Sequence, residues 1–173
     1  MIKLEPLAGH HERKAFDCGV APLNIWLKQT ALQHQTKGIS RTFVAIPAGG
    51  QIVDVYRSLG YGDISSASIL GFYALASAFV FIDELPAETA KRYPRQVPVT
   101  RLGRLAIRAD MQGQGLGRLL LADAVNRAES AAQAVGSAGL FVDAKDETSS
   151  RFYQSFGFRV CDDQSLKLYL PMW

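Results

Sequence analysis

The feature that most narrows what this chain can fold into is a run of three glycines in five residues. Gly113, Gly115 and Gly117 follow "VTRLGRLAI", which is rich in branched and apolar residues and reads as a strand. They lead into Leu116, Leu119, Leu120, Ala124, Ala128, Ala131 and Val135, an apolar stripe at helical spacing that stops at Gly136. A strand feeding a long helix through glycines places a turn where the main chain can be approached closely. The unpaired N–H groups of a helix start, aligned with the helix dipole, favour a phosphate group at that point.

Two nucleotide loops share this outline and fail on spacing. A Walker loop needs Lys-Ser/Thr directly after its last glycine, but the residue five after Gly113 is Arg118 and no hydroxyl follows to hold magnesium. A dinucleotide fingerprint needs G-x-G-x-x-G, whereas these glycines are spaced two and two, late in the chain, with no ribose-binding acid after the next strand.

Helices and strands alternate around this unit in mixed order. Leu23, Trp26, Leu27, Thr30, Ala31 and His34 outline an amphipathic helix entered through Pro22 and ended near Gly38. "SRTFVAI" reads as a strand, and residues 47–68, with four glycines, as a hairpin-like excursion or surface loop. "ILGFYALASAFV" reads as a strand buried on both sides, and a short helix follows Pro86. "AGLFVDA" is a strand, "DETSSRFYQSFGF" a helix with Asp146 as N-cap and Gly157 past its end, and "LKLYLPM" a closing strand. The class is α/β (α+β) around a largely central sheet. A length of 173 residues predicts one domain over 1–173.

Hydrophobic residues at 48% and charged residues at 20% exclude a disordered or fibrous class. The run from Ile69 to Ile82 is shorter than the roughly 18 to 20 residues that cross a bilayer, so no membrane role is expected. Lys3, Glu5 and His10 interrupt the start, which predicts no secretory signal and a cytoplasmic protein. Cys18 and Cys161 have no metal-ligand spacing and read as ordinary buried thiols; no metal is expected. The net charge of +3 is concentrated. Lys91, Arg92, Arg95, Arg101, Arg104 and Arg108 lie in a stretch without an acid, while the rest of the chain is acidic on balance. Such a patch attracts RNA or a phosphate-bearing cofactor, the plainer alternative being a solvated basic loop.

Gln112-x-x-Gly115-x-Gly117, placed between a strand and a long helix, resembles the acetyl-CoA signature of the GNAT N-acetyltransferases. The strand "LFVDA" and helix "SSRFYQSFGF" follow in the order of that family's second motif. With "FDCGVAPLNIWLKQTALQHQTKGISRTFV" and "LKLYLPM", nearly the whole chain apart from about 47–68 is similar to the toxins of toxin–antitoxin modules that acetylate aminoacyl-tRNA. The resemblance implies the GNAT fold: a mixed central sheet with a splayed pair of parallel strands, flanked by helices.

It also implies roles. Tyr153 is the general acid toward the departing thiolate, since a phenol near pKa 10 is protonated at neutral pH. Without the resemblance Tyr153 would read as packing, although Phe152 and Phe156 are the better core candidates. The main chain of Leu105, Ala106 and Ile107 pairs with the pantetheine arm of acetyl-CoA. Gln112, Gly113, Gln114, Gly115, Leu116, Gly117 and Arg118 hold the pyrophosphate, and Asp143 and Ala144 lie where the next strand diverges. Lys28, Lys37, Arg41, Lys91, Arg92, Arg95, Arg101 and Arg104 are candidates for tRNA phosphates. An odd separation on a strand sends Arg101 and Arg104 to opposite faces. No base stands out among His10, His11 and His34, and an α-amine near pKa 8 needs little help to be neutral. The implied partners are aminoacyl-tRNA, a ribbon-helix-helix antitoxin and a second copy of the chain. Two alternatives stay open: acetylation of a small amine or protein N-terminus, and a chiefly co-repressor role with an antitoxin on DNA.

Overall fold

The computed structural model describes residues 1–161 and 164–172. In chain order they form β1 (Ile2–Pro6), α1 (Ala21–Gln29), α2 (Ala31–Thr36), β2 (Arg41–Pro47), α3 (Gly50–Ser58), β3 (Gly71–Phe81), α4 (Ala87–Ala90), β4 (Gln96–Ile107), α5 (Leu116–Val135), β5 (Gly139–Asp143), α6 (Glu147–Gln154), β6 (Arg159–Cys161) and β7 (Gln164–Pro171). The sheet order is β1-β2-β3-β4-β5-β7-β6. β1 and β2 pair antiparallel from Ile2↔Pro47 to Pro6↔Phe43. β4 and β5 pair parallel over Thr100↔Leu140, Arg101↔Phe141 and Leu102↔Val142, while β7 is antiparallel to both β5 and β6. The sheet is therefore mixed, as the resemblance implied. The expected amphipathic helix is split at Thr30, whose backbone (φ −120, ψ −38) ends α1 and starts α2.

The chain divides into two compact units, one formed by Met1–Ala74 with Arg104–Asp123 and the other by residues 75–103 with those from 124 onward. In the first unit, α1 enters through Pro22 and buries Trp26 and Leu27. These pack with Leu7, Phe16, Val44, Phe72 and Ala106. Two elements here depart from the sequence expectations. β1 carries an alternation too short and too charged to read as a strand, with Lys3 and Glu5 paired at 3.0 Å along one side. The segment 47–68 holds α3 rather than a hairpin or loop, because Val53 and Tyr56, three apart, bury one helical face and the glycines fall outside its middle. His11 closes the exit from β1: its Nδ1 accepts from Ala8 N–H at 2.9 Å and its Nε2 lies 2.8 Å from Glu5 Oε1. With the Nδ1 lone pair taken, the hydrogen sits on Nε2 and donates to Glu5. The Glu5, His10, His11 group, whose ligand atoms lie within 4.8 Å of one another, is thus a hydrogen-bonded lock with no lone pair of His11 left for a metal.

In the second unit, Val80, Leu85, Val97, Val99, Phe141, Cys161 and Tyr169 form the core. The Tyr169 hydroxyl donates to Ala138 O at 2.6 Å. Gly139 sits beneath that ring so closely that a Cβ would lie 2.5 Å from it. β3, expected to be buried on both sides, is so only from Gly71 to Leu75; its end alternates, leaving Phe79 70% and Phe81 48% exposed. No described helix is long and apolar enough to cross a membrane.

Candidate active site

The first unit contains the glycine turn. β4 ends at Ile107, and a single 3₁₀ turn, Ala109–Met111, carries the chain past buried Met111 to Gln112. Gly113 and Gly115 then take φ +79° and +84°, the left-handed region that favours glycine, and a Cβ on either would meet no atom within 4 Å. The space above both is therefore open. α5 begins at Leu116, and the bond from Leu119 N–H to Gly115 O, 3.3 Å, comes only after its first turn. The N–H groups ahead of that bond are the ones a helix start offers to an anion.

Side chains brace the turn more than they face outward. Gln112 Nε2 donates to Cys18 O at 3.1 Å and to Ile107 O at 3.2 Å, fastening the turn to the end of β4 and to the 17–20 loop. That loop is itself held by Asp17, whose Oδ1 accepts from Gly19 N–H and Asn24 Nδ2. Tyr61, in the loop after α3, donates to Asp110 O and accepts from Gln114 Nε2 at 3.0 Å. Asp17, Asn24 and Tyr61 were not singled out in the sequence. Asp-x-Gly at 17–19 was a readable turn signal, but nothing local indicates what the turn supports. An open depression of about 500 Å³, with Leu59, Tyr61, Leu116 and Leu119 in its lining, flanks Gly115.

Strand geometry sorts the three expected backbone positions. Arg108 N–H donates to Leu70 O, and Ala106 O lies 3.0 Å from where a Cβ on Gly71 would stand. Both therefore face β3. Alternation along a strand then turns the peptide groups of Leu105 and Ile107 to the other edge, where Ile107 O already accepts from Gln112. Leu105 N–H, Leu105 O and Ile107 N–H are the groups a ligand would meet there.

Arg108 is internally neutralised, with Nη2 2.6 Å from Asp110 and 3.2 Å from Asp63. The guanidinium holds the Asp110 carboxyl below the usual carboxylate range. A carboxylate depressed in this way adds stability above its unfolded pKa, near 3.9, and loses it as pH falls through the lower folded value. Asp110→Asn is expected to lower Tm at neutral pH by a few degrees at most, since Asp110 is half exposed and screened. The gap to the wild type should narrow below the unfolded pKa and close as pH falls through the lower folded value; an equal gap at both ends of a thermal scan series would contradict the linkage.

The second unit contains Tyr153. Asp146 caps α6, its carboxylate accepting from Ser149 N–H at 2.8 Å, and the helix buries Ser150 and Tyr153 on one face. Tyr153 is 8% exposed, packed on Phe152 and Phe158 at ring distances of 5.3 and 5.6 Å. Phe152 and Phe156, expected as the deeper residues, are only half-buried. Burial pushes the Tyr153 phenol up to about 12, and its hydroxyl makes no hydrogen bond among the described residues. The neighbouring positions are more committed: Asp143 binds Arg101 at 2.6 Å, and Ala144 N–H donates to Leu166 O at 2.7 Å. That amide is already used.

The basic candidates separate in the same way. Lys28, Lys37 and Arg41 are exposed in the first unit and Lys91, Arg92 and Arg95 in the second. Arg101 lies 5.0 Å over Phe141 in the second unit, and Arg104 lies 4.2 Å over Trp26 in the first. Gln112 to Arg118 and Leu105 to Ile107 come together in the first unit.

A glycine turn at a helix start and the strand peptide groups of Leu105 and Ile107 in the first unit, and a buried phenol in the second, are groups that a thioester-dependent acyl transfer can use, and residues 89–172 match the Acetyltransferase (GNAT) domain. The chain belongs to the GNAT acetyltransferase family. It is 33% identical to the tRNA-acetylating toxin of Mycobacterium tuberculosis over 91% of this chain and 84% of that protein, and 25% identical to the probable toxin TacT of Sinorhizobium fredii over 98% and 90%. Among solved structures it is similar to AtaT complexed with acetyl-methionyl-tRNAfMet, at 30% identity and a TM-score of 0.83 over 99% of this chain and 95% of that one. It is also similar to AtaTR bound with acetyl-CoA, at 29% identity and a TM-score of 0.75 over 99% and 93%.

Proposed function

We propose that the chain is the toxin of a toxin–antitoxin pair, a single GNAT domain over 1–173 that uses acetyl-CoA to acetylate the α-amino group of aminoacyl-tRNA in the cytoplasm. The observation that carries this reading is the combination of the glycine turn with a 33% identical tRNA-acetylating relative over nearly the full length. Bound acetyl-CoA supplies an acyl group activated as a thioester. The N–H groups from Gly113 to Arg118 receive its pyrophosphate, and Leu105 and Ile107 pair with its pantetheine arm along the open edge of β4. Backbone N–H groups there also suit a developing oxyanion. The incoming amine needs no strong base, because an α-amine near pKa 8 is partly neutral at cellular pH. As the bond between sulfur and the acyl carbon breaks, the Tyr153 hydroxyl donates a hydrogen bond to the departing sulfur, and the proton that the amine sheds on becoming an amide balances the charge of the thiolate. With thiols near 8.5 and this phenol near 12, the hydrogen bond itself, rather than full proton transfer, is the stabilising contribution.

Lys28, Lys37, Arg41, Lys91, Arg92 and Arg95 serve RNA phosphates; Arg101 is better occupied by Asp143. A ribbon-helix-helix antitoxin and a homodimer complete the assembly; the similar AtaT–AtaR complex bound to DNA, at 29% identity and a TM-score of 0.70, supports an antitoxin as partner. Incubating the protein with labelled acetyl-CoA and total charged tRNA, then identifying the labelled amino acid, tests the reading. Label is expected on aminoacyl ends and to fall steeply with salt. Label on free amines or protein N-termini alone would favour the small-amine alternative.

A further inference from the structure

Among the arginines of β4 and its exit, Arg104 is the one without an acid. Arg101 is bound to Asp143, and Arg108 to Asp110 and Asp63. Arg104 makes no ion pair among the described residues, although it is half-buried and its pKa is lowered by desolvation. What holds it is Trp26. The guanidinium carbon lies 4.2 Å from the indole centroid, and the indole is fixed in turn, 8% exposed, stacked within 14° of Phe72 and edge-on to His34.

Stacking occupies a face of the guanidinium and leaves its in-plane N–H donors free. A cation moved partly out of water without a counter-ion costs free energy that an incoming anion returns. The planar fork matches two oxygens of one phosphate, which a lysine ammonium cannot reproduce. Arg104 also precedes Leu105 and Ile107 on the same strand, within about 10 Å of Ile107 along it. In an aminoacyl-tRNA, the α-amine is separated from the last phosphate by only the aminoacyl group and one ribose, a comparable reach.

We propose that Arg104, levelled on Trp26, is the receptor for the 3′-terminal phosphodiester of the acceptor, and that it selects a nucleotide-linked amine over a free one. This rests on the aminoacyl-tRNA reading and names the residue that gives it specificity. Trp26 acts as a positioning residue.

The test compares two acceptors, an aminoacylated adenosine with and without its 5′-phosphate, alongside aminoacyl-tRNA. Wild type is expected to favour the phosphate-bearing form in kcat/KM by roughly ten- to hundredfold, the range of one charged hydrogen-bonded contact. In Arg104→Gln that ratio should fall to about one, and the slope of tRNA affinity against salt should drop by about one. Arg104→Lys should keep the charge and recover only part of the ratio. Acetyl-CoA affinity, measured on every variant, reports intact folding. An unchanged ratio in Arg104→Gln, full recovery by lysine, or an equal loss of acetyl-CoA affinity would each overturn the assignment. If wild type acetylates no aminoacyl-tRNA at all, the underlying reading falls instead.

Discussion

Replacing Tyr153 with phenylalanine is expected to lower kcat for acetyl transfer by roughly 10²- to 10⁴-fold while leaving acetyl-CoA affinity close to wild type. The ring does the packing, against Phe152 and Phe158, and phenylalanine keeps it. The hydroxyl has no hydrogen-bond partner among the described residues, so its loss should cost the fold little. Titration calorimetry with acetyl-CoA and steady-state kinetics separate the two effects. The pH profile sharpens the test. With Tyr153 near 12, wild-type rate should rise with pH as the α-amine, near pKa 8, loses its proton, and level off from about pH 9. A variant that retains full kcat would remove Tyr153 from the chemistry.

The second large effect belongs to Gly115→Asp, expected to weaken acetyl-CoA at least a hundredfold. An L-residue at φ +84° is strained by about 1–2 kcal/mol, but a side chain there meets nothing within 4 Å, so the fold should survive. The damage falls on the ligand. A carboxylate enters the space where a pyrophosphate is proposed to lie, repelling it and blocking the amides, and losing two charged hydrogen bonds costs about 3–6 kcal/mol. Gly115→Ala carries the same backbone strain without the charge and should lose far less. Equal, undiminished affinity in both variants would refute the placement of the pyrophosphate.

Much of the site was legible because its signals are local. The glycine run, the stripe of α5 and the Asp146 cap each act within one helical turn, and all three stand as read. α3 and β1 escaped because their apolar positions are few and only partners elsewhere in the chain bury them. β3 read as one continuous apolar strand, yet Phe79 and Phe81 are exposed, since residue type says nothing about whether a neighbour covers that end. The basic stretch was only partly legible for a related reason. Arg101, Arg104 and Arg108 look alike in sequence, but Asp143 and Asp63 lie some forty residues from the arginines they neutralise, and only the fold tells which charge remains available. Gln112, read as a ligand contact, also clasps the turn through its side chain, which no local signal announced.

The outward-turned peptide groups of Leu105 and Ile107 carry a cost of their own. A strand edge with unsatisfied donors is a template for any extended chain, including another copy of the same protein. The edge here is short, and Gln112 already covers Ile107 O, which limits that hazard. If the pantetheine arm pairs along it, acetyl-CoA serves as a temporary extra strand as well as a reagent. Saturation at a hundredfold over Kd would then add about 2.7 kcal/mol of stability to the folded chain. A cell rich in acetyl-CoA would thereby hold the protein in a longer-lived and less aggregation-prone form, so its abundance would follow the supply of its own acyl donor.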